Sequence, residues 1–311
     1  MLVLSPEQTR ASLSFPRLIP ALREAFIAGA QTPLRHRHDI PQPDASTASL
    51  LLMPAWRPDG FLGIKLVTVF PNQSPAVSSS YLLADARTGR HLALIDGTEI
   101  TGRRTAAASA LAASFLARTD AASLLVVGAG HIASLLPEAY AAVRPIRQVV
   151  VWNHRQEGAR RLAHTLQASG FNATPTTNLA AAAAQADIIT CATLSRTPLI
   201  RGEWLRPGVH LDLIGGFTPA MREADDEAIR RARVFIDTEA ALAEAGDLIQ
   251  PLASGILSRQ EIAGDLAMLC KGQTAGRRTE AEITLFKSVG SALEDLAAAT
   301  LAYQDVTSAS C

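Results

Sequence analysis

The sequence predicts an α/β protein in which a parallel sheet covered on both faces follows a smaller α+β region. From about residue 105 to residue 285, short runs of Val, Ile and Leu alternate with helix-like stretches. That pattern is typical of parallel strands buried between two layers of helices. Residues 1 to about 110 mix helical and strand signals in a different rhythm. The 311 residues suit one large or two medium domains, at roughly 150 residues per domain.

In the first region, Ser14–Ala30 predicts a helix, because its apolar residues recur at i, i+3, i+4 and i+7. The turn signal Thr88-Gly89 predicts a hairpin between the last two of four apolar strands, so that pairing there is largely antiparallel. The four strands are expected over Ser49–Pro54, Gly63–Phe70, Ser78–Asp85 and Leu92–Ile95. His36 and His38 are interpreted as part of a solvated turn rather than a metal pair.

The second region predicts a strand–helix alternation. Strands are expected over Leu124–Val127, Val149–Trp152, Asp187–Cys191, His210–Ile214 and Val234–Ile236, with helices over Gln156–Gln167, Leu179–Gln185 and Glu223–Ala232. Pro137 predicts a bend or an irregular first turn in the helix that contains it. The Ala-rich stretch Glu280–Tyr303 predicts an amphipathic helical segment broken at Gly290, with Lys287 and Asp295 serving that helix and its packing.

Composition excludes several classes of protein. The chain has 29 Lys+Arg and 29 Asp+Glu, so charge gives no reason to expect nucleic acid or an anionic membrane as a partner. No apolar run approaches the roughly 20 residues that span a bilayer. Pro6 and Glu7 interrupt the position of a signal peptide's apolar region, so secretion is not indicated and we expect a cytoplasmic protein.

Cysteine and histidine spacing argues against a metal site. Cys191, Cys270 and Cys311 are widely spaced and form no C-x-x-C pair, which excludes a disulfide framework and fits a reducing compartment. The seven histidines show no H-E-x-x-H spacing. We therefore expect no metal cofactor.

A dinucleotide site is predicted where the strand ending at Val127 runs into G-x-G-x-x-A. Gly128 permits a tight turn, Gly130 lets the backbone approach a pyrophosphate, and Ala133 allows close packing of helix on strand. The N-terminus of that helix supplies unpaired N–H groups and partial positive charge. A strand before the motif and a second strand after it provide the context that the motif requires, although a glycine-rich turn without a ligand is the alternative.

The end of the second strand indicates which nicotinamide cofactor is used. Sites that prefer NAD place Asp or Glu there, whereas this chain has Asn153, His154 and Arg155. Arginine pairs with a 2′-phosphate that a carboxylate would repel, which favours NADP(H), with NAD(H) possible; the alternative is a solvated Arg155 without a partner. The residues expected to bind the cofactor are Thr105, Gly128, Ala129, Gly130, His131, Ile132, Asn153, His154, Arg155, Ala192 and Thr193.

Three basic residues of the first region are candidates for a carboxylate site. Lys65 lies inside an apolar strand, where an unpaired ammonium is costly, and Arg104 is expected at the start of a helix leading to the second region. Arg35 lies in a basic segment. Each alone is more simply a surface base, but together they would form a cationic pocket for a carboxylate.

The chain resembles the ornithine cyclodeaminase/mu-crystallin family over nearly its whole length. The resemblance rests on Gly63–Lys65, Asp85–Gly89, Ile100–Ala107, the Gly128 loop, Trp152–Arg155, Pro219–Glu223, Gly264–Leu266 and Ile283–Gly290. It implies a homodimer, with a substrate-binding and dimerisation domain over residues 1–112, a Rossmann domain over 113–285 and a C-terminal helical segment, 286–311, that returns to the first domain. It also implies that Arg35, Lys65 and Arg104 bind the substrate carboxylate.

One position helps to choose among the activities of the family. True cyclodeaminases carry an aspartate after the paired glycines, where this chain has Phe217, and a phenyl ring neither accepts a proton nor pairs with an ammonium. The leading hypothesis is NADPH-dependent reduction of a small cyclic α-imino acid, such as Δ1-pyrroline-2-carboxylate, to an α-amino acid. Lys65 and Arg104 would be catalytic, Lys65 assisting proton delivery, and Phe217 would contact the substrate.

Three alternatives stay open. The chain is a cyclodeaminase proper, converting ornithine to proline and ammonia with NAD, if another carboxylate replaces the missing aspartate at 217. It is a nucleotide-dependent binding protein of the crystallin type if turnover is vestigial. Amino-acid dehydrogenation, alanine included, is the leading reaction run backwards.

Overall fold

A computed structural model of the chain describes residues 1–43, 47–70 and 72–308. These residues form two compact units, the first made of residues 1–105 and 291–311 and the second of residues 106–290. The sequence-based boundaries, 112/113 and 285/286, lie a few residues from these. None of the helices in the described ranges combines the length and the apolar character needed to cross a bilayer.

The first unit contains a sheet of six strands. They are β1 (Leu2–Leu4), β2 (His36–Pro41), β3 (Thr47–Trp56), β4 (Phe61–Val69), β5 (Val77–Asp85) and β6 (His91–Asp96), in the order β1-β6-β5-β4-β3-β2. All neighbours are antiparallel except β1 and β6, which confirms the predicted pairing and the β5–β6 hairpin. The prediction of a turn at His36 and His38 is wrong, because both are exposed residues of β2.

Helices pack on this sheet from one side. The helices of the unit are α1 (Pro6–Ser12), α2 (Phe15–Ala28), the beginning of α3 (Gly97–Leu116) and α11 (Ala292–Ser308), and α1 packs on β1 and β6. The apolar stripe of α2, from Phe15 to Phe26, is buried as its periodicity predicts, and α11 packs on α2, β3, β4 and β5. Along β4, buried Gly63 and Lys65 alternate with Leu62 and Leu66, which are 39% and 38% exposed, so the other face of the sheet is open.

The prediction that Arg104 begins a helix is wrong, because α3 starts at Gly97 and Arg104 lies in its interior. The Asp96 carboxylate accepts a hydrogen bond from the Glu99 backbone N–H (2.7 Å), which is the usual role of an N-cap residue. The sequence interpretation ended the preceding strand at Ile95 and did not identify this cap. With this cap, the helix begins about two turns before the start that the sequence predicted at Arg104.

The second unit contains an eight-stranded, fully parallel sheet. Its strands are β7 (Ser123–Val127), β8 (Gln148–Trp152), β9 (Ala173–Thr176), β10 (Ile188–Cys191), β11 (His210–Leu213), β12 (Arg233–Ile236), β13 (Ile262–Asp265) and β14 (Thr284–Lys287). Its helices are α4 (His131–Ala141), α5 (Gln156–Ala168), α6 (Leu179–Gln185), α7 (Asp226–Arg231), α8 (Ala241–Glu244), α9 (Gly246–Ala253) and α10 (Leu266–Cys270).

The strand order confirms a Rossmann fold. Strands β9-β8-β7-β10-β11-β14 reproduce the order 3-2-1-4-5-6 of dinucleotide-binding sheets, with the direction of winding reversing between β7 and β10. The last strand of the chain occupies the sixth place, and β12 and β13 extend that edge. Ligands of such sheets bind at the carboxyl ends of the strands beside the reversal, so the ends of β7 and β10 locate the candidate site.

Two predicted helices need correction, and the helix that contains Pro137 is not ended by that proline. The stretch Glu280–Tyr303 is not a broken helix, because Lys287 closes the central strand β14 and a helix begins only at Ala292. Glu223, predicted in a helix, lies in the loop before α7, whose N-cap is Asp225. Helix α4 continues through Pro137.

Candidate cofactor and substrate sites

The turn between β7 and α4 requires glycine at its first position. Gly128 has φ +118°, and a Cβ there would lie 2.6 Å from the Ala192 carbonyl oxygen. Gly128 N–H donates to the Trp152 carbonyl at the end of β8, and Ala192 N–H donates to the Val127 carbonyl, both at 2.9 Å. These bonds hold the carboxyl ends of β7, β8 and β10 together around the turn.

Gly130 leaves backbone open at the same turn. A Cβ on Gly130 would meet nothing within 4 Å, and no side chain caps the first turn of α4, which begins at His131. The first N–H groups of a helix are strong donors to a phosphate when a ligand can approach them. The turn therefore fits the pyrophosphate of a dinucleotide.

A cleft of about 540 Å³ lies against this turn, within the usual size range of small-molecule sites. Of the residues predicted to bind a cofactor, those that line it are Gly128, Ala129, Gly130, Asn153, His154, Arg155, Ala192 and Thr193. His131 and Ile132 are the first residues of α4, and Thr105 belongs to α3 in the first unit.

The sequence interpretation missed other residues of the cleft. They are Trp152, Gly158, Arg161, Leu194, Ser195 and Leu199. A Cβ on Gly158 would lie 2.7 Å from Asn153 Nδ2 and 3.4 Å from Ala129 Cβ, so glycine there lets α5 approach the turn. A small residue at the start of the helix after β8 was the available signal. Arg161 forms an exposed pair with Glu157 (2.6 Å).

Glu223 joins two loops at the carboxyl ends of β10 and β11. Its Oε1 accepts hydrogen bonds from Thr193 N–H and Oγ1 (both 2.8 Å), and its Oε2 accepts from the N–H groups of Gly215 (2.8 Å) and Gly216 (3.3 Å). The side chain is fully buried. Sequence periodicity offered no signal for this role, because a glutamate before a charged helix looks like an ordinary first-turn residue.

Neither Phe217 nor Asp212 offers a carboxylate that could react with a substrate. Phe217 follows these glycines and is 46% exposed. Asp212 is fully buried in β11 and accepts hydrogen bonds from Tyr140 (2.7 Å), Thr190 (2.7 Å) and Ser109 (3.3 Å) hydroxyls. Burial raises the pKa of Asp212 to about 6, against these donors. Asp212 is therefore committed to internal bonds, and Phe217 carries no acid–base group.

The first unit brings Lys65 and Arg104 together at one carboxylate. Asp295 Oδ2 lies 2.7 Å from Lys65 Nζ, and its Oδ1 accepts from Arg104 Nε at 2.9 Å. Arg104 Nη1 also donates to Glu294 (2.9 Å). Burial lowers the pKa of Lys65 to about 8, with Asp295 opposing and Arg104 adding to the shift. The two cations thus belong to a charge-balanced cluster. The sequence interpretation assigned one of its anions, Asp295, to helix packing.

The remaining predicted residues lie elsewhere. Arg35 is half-buried, precedes β2, and is two strands away from β4 in the sheet order. Cys191 and Cys270 are buried, and Cys311 lies outside the described residues. Among the residues that are described, no group of three His, Cys, Asp or Glu side chains is placed to hold a metal ion.

Known proteins share the sequence and the fold of this chain. The sequence model of the ornithine cyclodeaminase/mu-crystallin family matches residues 2–310. The chain belongs to that family. One family relative, a Δ1-pyrroline-2-carboxylate reductase of Colwellia psychrerythraea, is 38% identical over 96% of this chain and 97% of its own length.

Solved structures of the family show the same fold. The Thermococcus litoralis Δ1-pyrroline-2-carboxylate reductase, in complex with NADH and L-proline, superposes with a TM-score of 0.92 at 33% identity and covers 100% of this chain and 98% of its own. An archaeal alanine dehydrogenase dimer with bound NAD gives a TM-score of 0.90 at 27% identity, with coverage of 100% and 97%.

Proposed function

We propose that this protein reduces a cyclic α-imino acid of the Δ1-pyrroline-2-carboxylate type to the corresponding α-amino acid with a nicotinamide dinucleotide. The observation that carries the proposal is the open backbone at Gly130, beside a cleft at the reversal point of a Rossmann sheet. The names of the family relatives support the substrate class. A reduced nicotinamide, when bound, supplies the hydride.

The charge cluster of the first unit supports recognition of a carboxylate. Within the described part of the chain, the hydrogen bonds of Arg104 use Nε and Nη1, so Nη2 is the nitrogen that remains for a substrate. Asp295 holds the Lys65 ammonium beside the same guanidinium. Tyr81, opposite Lys65 on β5, has a buried hydroxyl without a hydrogen-bond partner among the described residues. We assign the substrate carboxylate to Lys65 and Arg104, and to Arg35 the role of a third cation that reaches the substrate from outside this cluster.

The chain's own residues are proposed to orient the substrate and to supply one proton. A cyclic iminium ion is already electrophilic, so no carboxylate base is needed and Phe217 serves as an apolar contact. The pKa of Lys65, about 8, leaves its ammonium protonated at neutral pH yet able to give its proton to the nitrogen of an imine that arrives neutral, which forms the iminium ion. Lys65 and Arg104 therefore orient the substrate, and Lys65 also supplies a proton.

We propose NADP(H) as the preferred cofactor, with NAD(H) accepted. Arg155 and Arg161 line the same cleft as His154, and the neighbouring acid, Glu157, is paired with Arg161. This edge offers guanidinium groups to a 2′-phosphate and no unpaired carboxylate to the ribose hydroxyls.

The test is turnover of Δ1-pyrroline-2-carboxylate and Δ1-piperideine-2-carboxylate with each reduced cofactor, followed by absorbance. We expect saturable turnover with kcat on the order of 1–10³ s⁻¹ and a higher kcat/KM with NADPH than with NADH. Ornithine with NAD⁺ serves as the control and should give no proline or ammonia. Background rates with every imine, despite tight cofactor binding, would establish a binding protein instead, and proline from ornithine would establish a cyclodeaminase.

We further propose a homodimer, formed through the open face of the first unit's sheet, in the cytoplasm. That face carries the apolar residues Leu50, Leu52, Pro54, Trp56, Leu62, Ile64, Leu66, Leu82 and Leu94, which pair across neighbouring strands. A contiguous apolar sheet face marks an interaction surface, and the dimeric family structure favours a second copy as its occupant. The buried thiols of Cys191 and Cys270 suit a reducing compartment.

A further inference from the structure

Glu223 is bonded to both of the loops that extend from β10 and β11. Four donors, three of them backbone N–H groups, converge on its two oxygens, at Thr193, Gly215 and Gly216. A backbone N–H cannot reverse its role, so both oxygens must act as acceptors. An ionised carboxylate satisfies all of these donors at once, whereas a proton on Oε2 would face the two glycine N–H groups.

A second buried carboxylate, that of Asp247, holds the backbone of Glu223 in place. Asp247 Oδ1 accepts from the backbone N–H of Glu223 (2.7 Å) and of Ala224 (3.2 Å), while its Oδ2 lies 3.3 Å from Lys287 Nζ. A Cβ on Gly216 would lie 2.5 Å from that Oδ2, so the glycine loop packs directly on this pair. Glu223 therefore has little freedom to move away from the loops it holds.

We propose that Glu223 is a positioning residue that holds the Thr193 and Gly215–Gly216 loops in the shape that binds the nicotinamide half of the cofactor. In a Rossmann sheet the dinucleotide lies across the reversal point, and Arg155 after β8 marks the adenosine side. The loops after β10 and β11 then belong to the nicotinamide side. Thr193 lines the cofactor cleft itself. This inference rests on the cofactor site assigned above.

The arrangement makes cofactor affinity depend on pH. The charged and titratable groups facing Glu223 are Asp247, Lys287 and Cys191, all buried. Burial raises the pKa of Glu223 to about 7, with Lys287 opposing the shift and Asp247 adding to it. A proton on Oε2 faces the N–H donors of Gly215 and Gly216, and a proton on Oε1 requires the Thr193 hydroxyl to turn from donor to acceptor. Affinity for the nicotinamide half should therefore fall as pH falls through about 7.

Stability responds to the same proton with the opposite sign. A carboxyl whose pKa is raised on folding, from 4.5 to about 7, contributes stability below its unfolded value and loses it as pH rises through 7. Lowering the pH from 8 to 6 thus adds folding stability from Glu223 while it weakens cofactor binding. A merely structural glutamate would not separate the two quantities in this way.

The test compares the affinities of NADH and of ADP-ribose, which lacks the nicotinamide, from pH 6 to pH 8. For the wild type we expect the Kd of NADH, relative to that of ADP-ribose, to rise about ten-fold between pH 8 and pH 6. In Glu223→Gln the amide NH₂ must face an N–H donor in either orientation. We expect this variant to bind NADH about 10- to 100-fold more weakly at pH 8, the loss of one hydrogen bond to a charged group, with no remaining pH dependence of the ratio.

Asp212→Asn is the matched control. Asp212 is equally buried in the same unit, but its donors are hydroxyls that can turn to suit an amide. It should keep the wild-type affinity ratio at each pH. Wild-type affinity in Glu223→Gln, or equal losses of affinity for NADH and ADP-ribose, would overturn the inference. So would a wild-type ratio of the two Kd values that does not change with pH, a measurement that does not depend on the folding of any variant. Failure of the wild type to bind either NADH or NADPH would instead contradict the proposed function.

Discussion

At the scale of single residues, Asp295 is the anion on which the candidate substrate cluster depends. It is fully buried and contacts both Lys65 and Arg104. Burying two cations is costly, and removing one partner of a buried pair leaves the other charge uncompensated. The position of Lys65 inside an apolar strand revealed that a partner must exist, but nothing local identified it, because Asp295 comes 191 residues after Arg104.

We therefore expect Asp295→Asn to lower the free energy of unfolding by about 3–5 kcal/mol. Glu294 still pairs with Arg104 in this variant, so the loss should come mainly from the Lys65 ammonium. Denaturant unfolding measures the change. The control is Asp305→Asn, which breaks a pair with Arg17 whose side chains are 47% and 34% exposed and should cost at most about 1 kcal/mol. Equal losses in the two variants would contradict this account of the cluster.

At the scale of elements, the β7–α4 turn was predictable to the residue, because it depends on local backbone chemistry. Gly128, Gly130 and the helix after them lie where the motif places them. The short strands β9 and β13, of four residues each, were missed, since Ala173–Thr176 contains a proline and Ile262–Asp265 a glycine. Such strands form because neighbouring strands pair with them, and sequence periodicity alone does not contain that information.

The two glycines of the turn should respond differently to substitution. Gly130→Ala places a methyl group in open space, so melting temperature should stay within about 2 °C of the wild type while dinucleotide affinity falls at least ten-fold. Gly128→Ala forces a Cβ against the Ala192 carbonyl at a positive φ and should lose both stability and affinity. Thermal melting and cofactor titration measure the two effects. Unchanged dinucleotide binding by Gly130→Ala would refute the assigned position of the pyrophosphate.

At the scale of the whole molecule, the parallel sheet and the antiparallel sheet were both evident from the rhythm of apolar runs. The assembly of the first unit from both ends of the chain was not evident from rhythm, and came from family resemblance. The open sheet face was also overlooked, because the half-buried Leu52 and the exposed Leu66 look like ordinary strand residues in the sequence. Only pairing across strands reveals that they share a surface.

That surface makes assembly testable. Leu66→Glu places a charge at the centre of the open face, and sedimentation velocity should show a monomer where the wild type is a dimer, because an unpaired charge in an apolar interface costs several kcal/mol. Ile27→Glu, on α2 and 39% exposed, is the control and should stay dimeric. A dimeric Leu66→Glu protein would show that the subunits meet elsewhere.

The first unit is built from two segments that are separated by the second unit, and this affects its folding during translation. Lys65 and Arg104 are translated before the second unit, whereas Glu294 and Asp295 are translated only after the whole of it. Nascent chains usually fold domain by domain from the N-terminus, but here the first unit lacks these counterions until the second unit has been translated. The Rossmann unit is therefore able to fold completely before the first unit has its charge cluster.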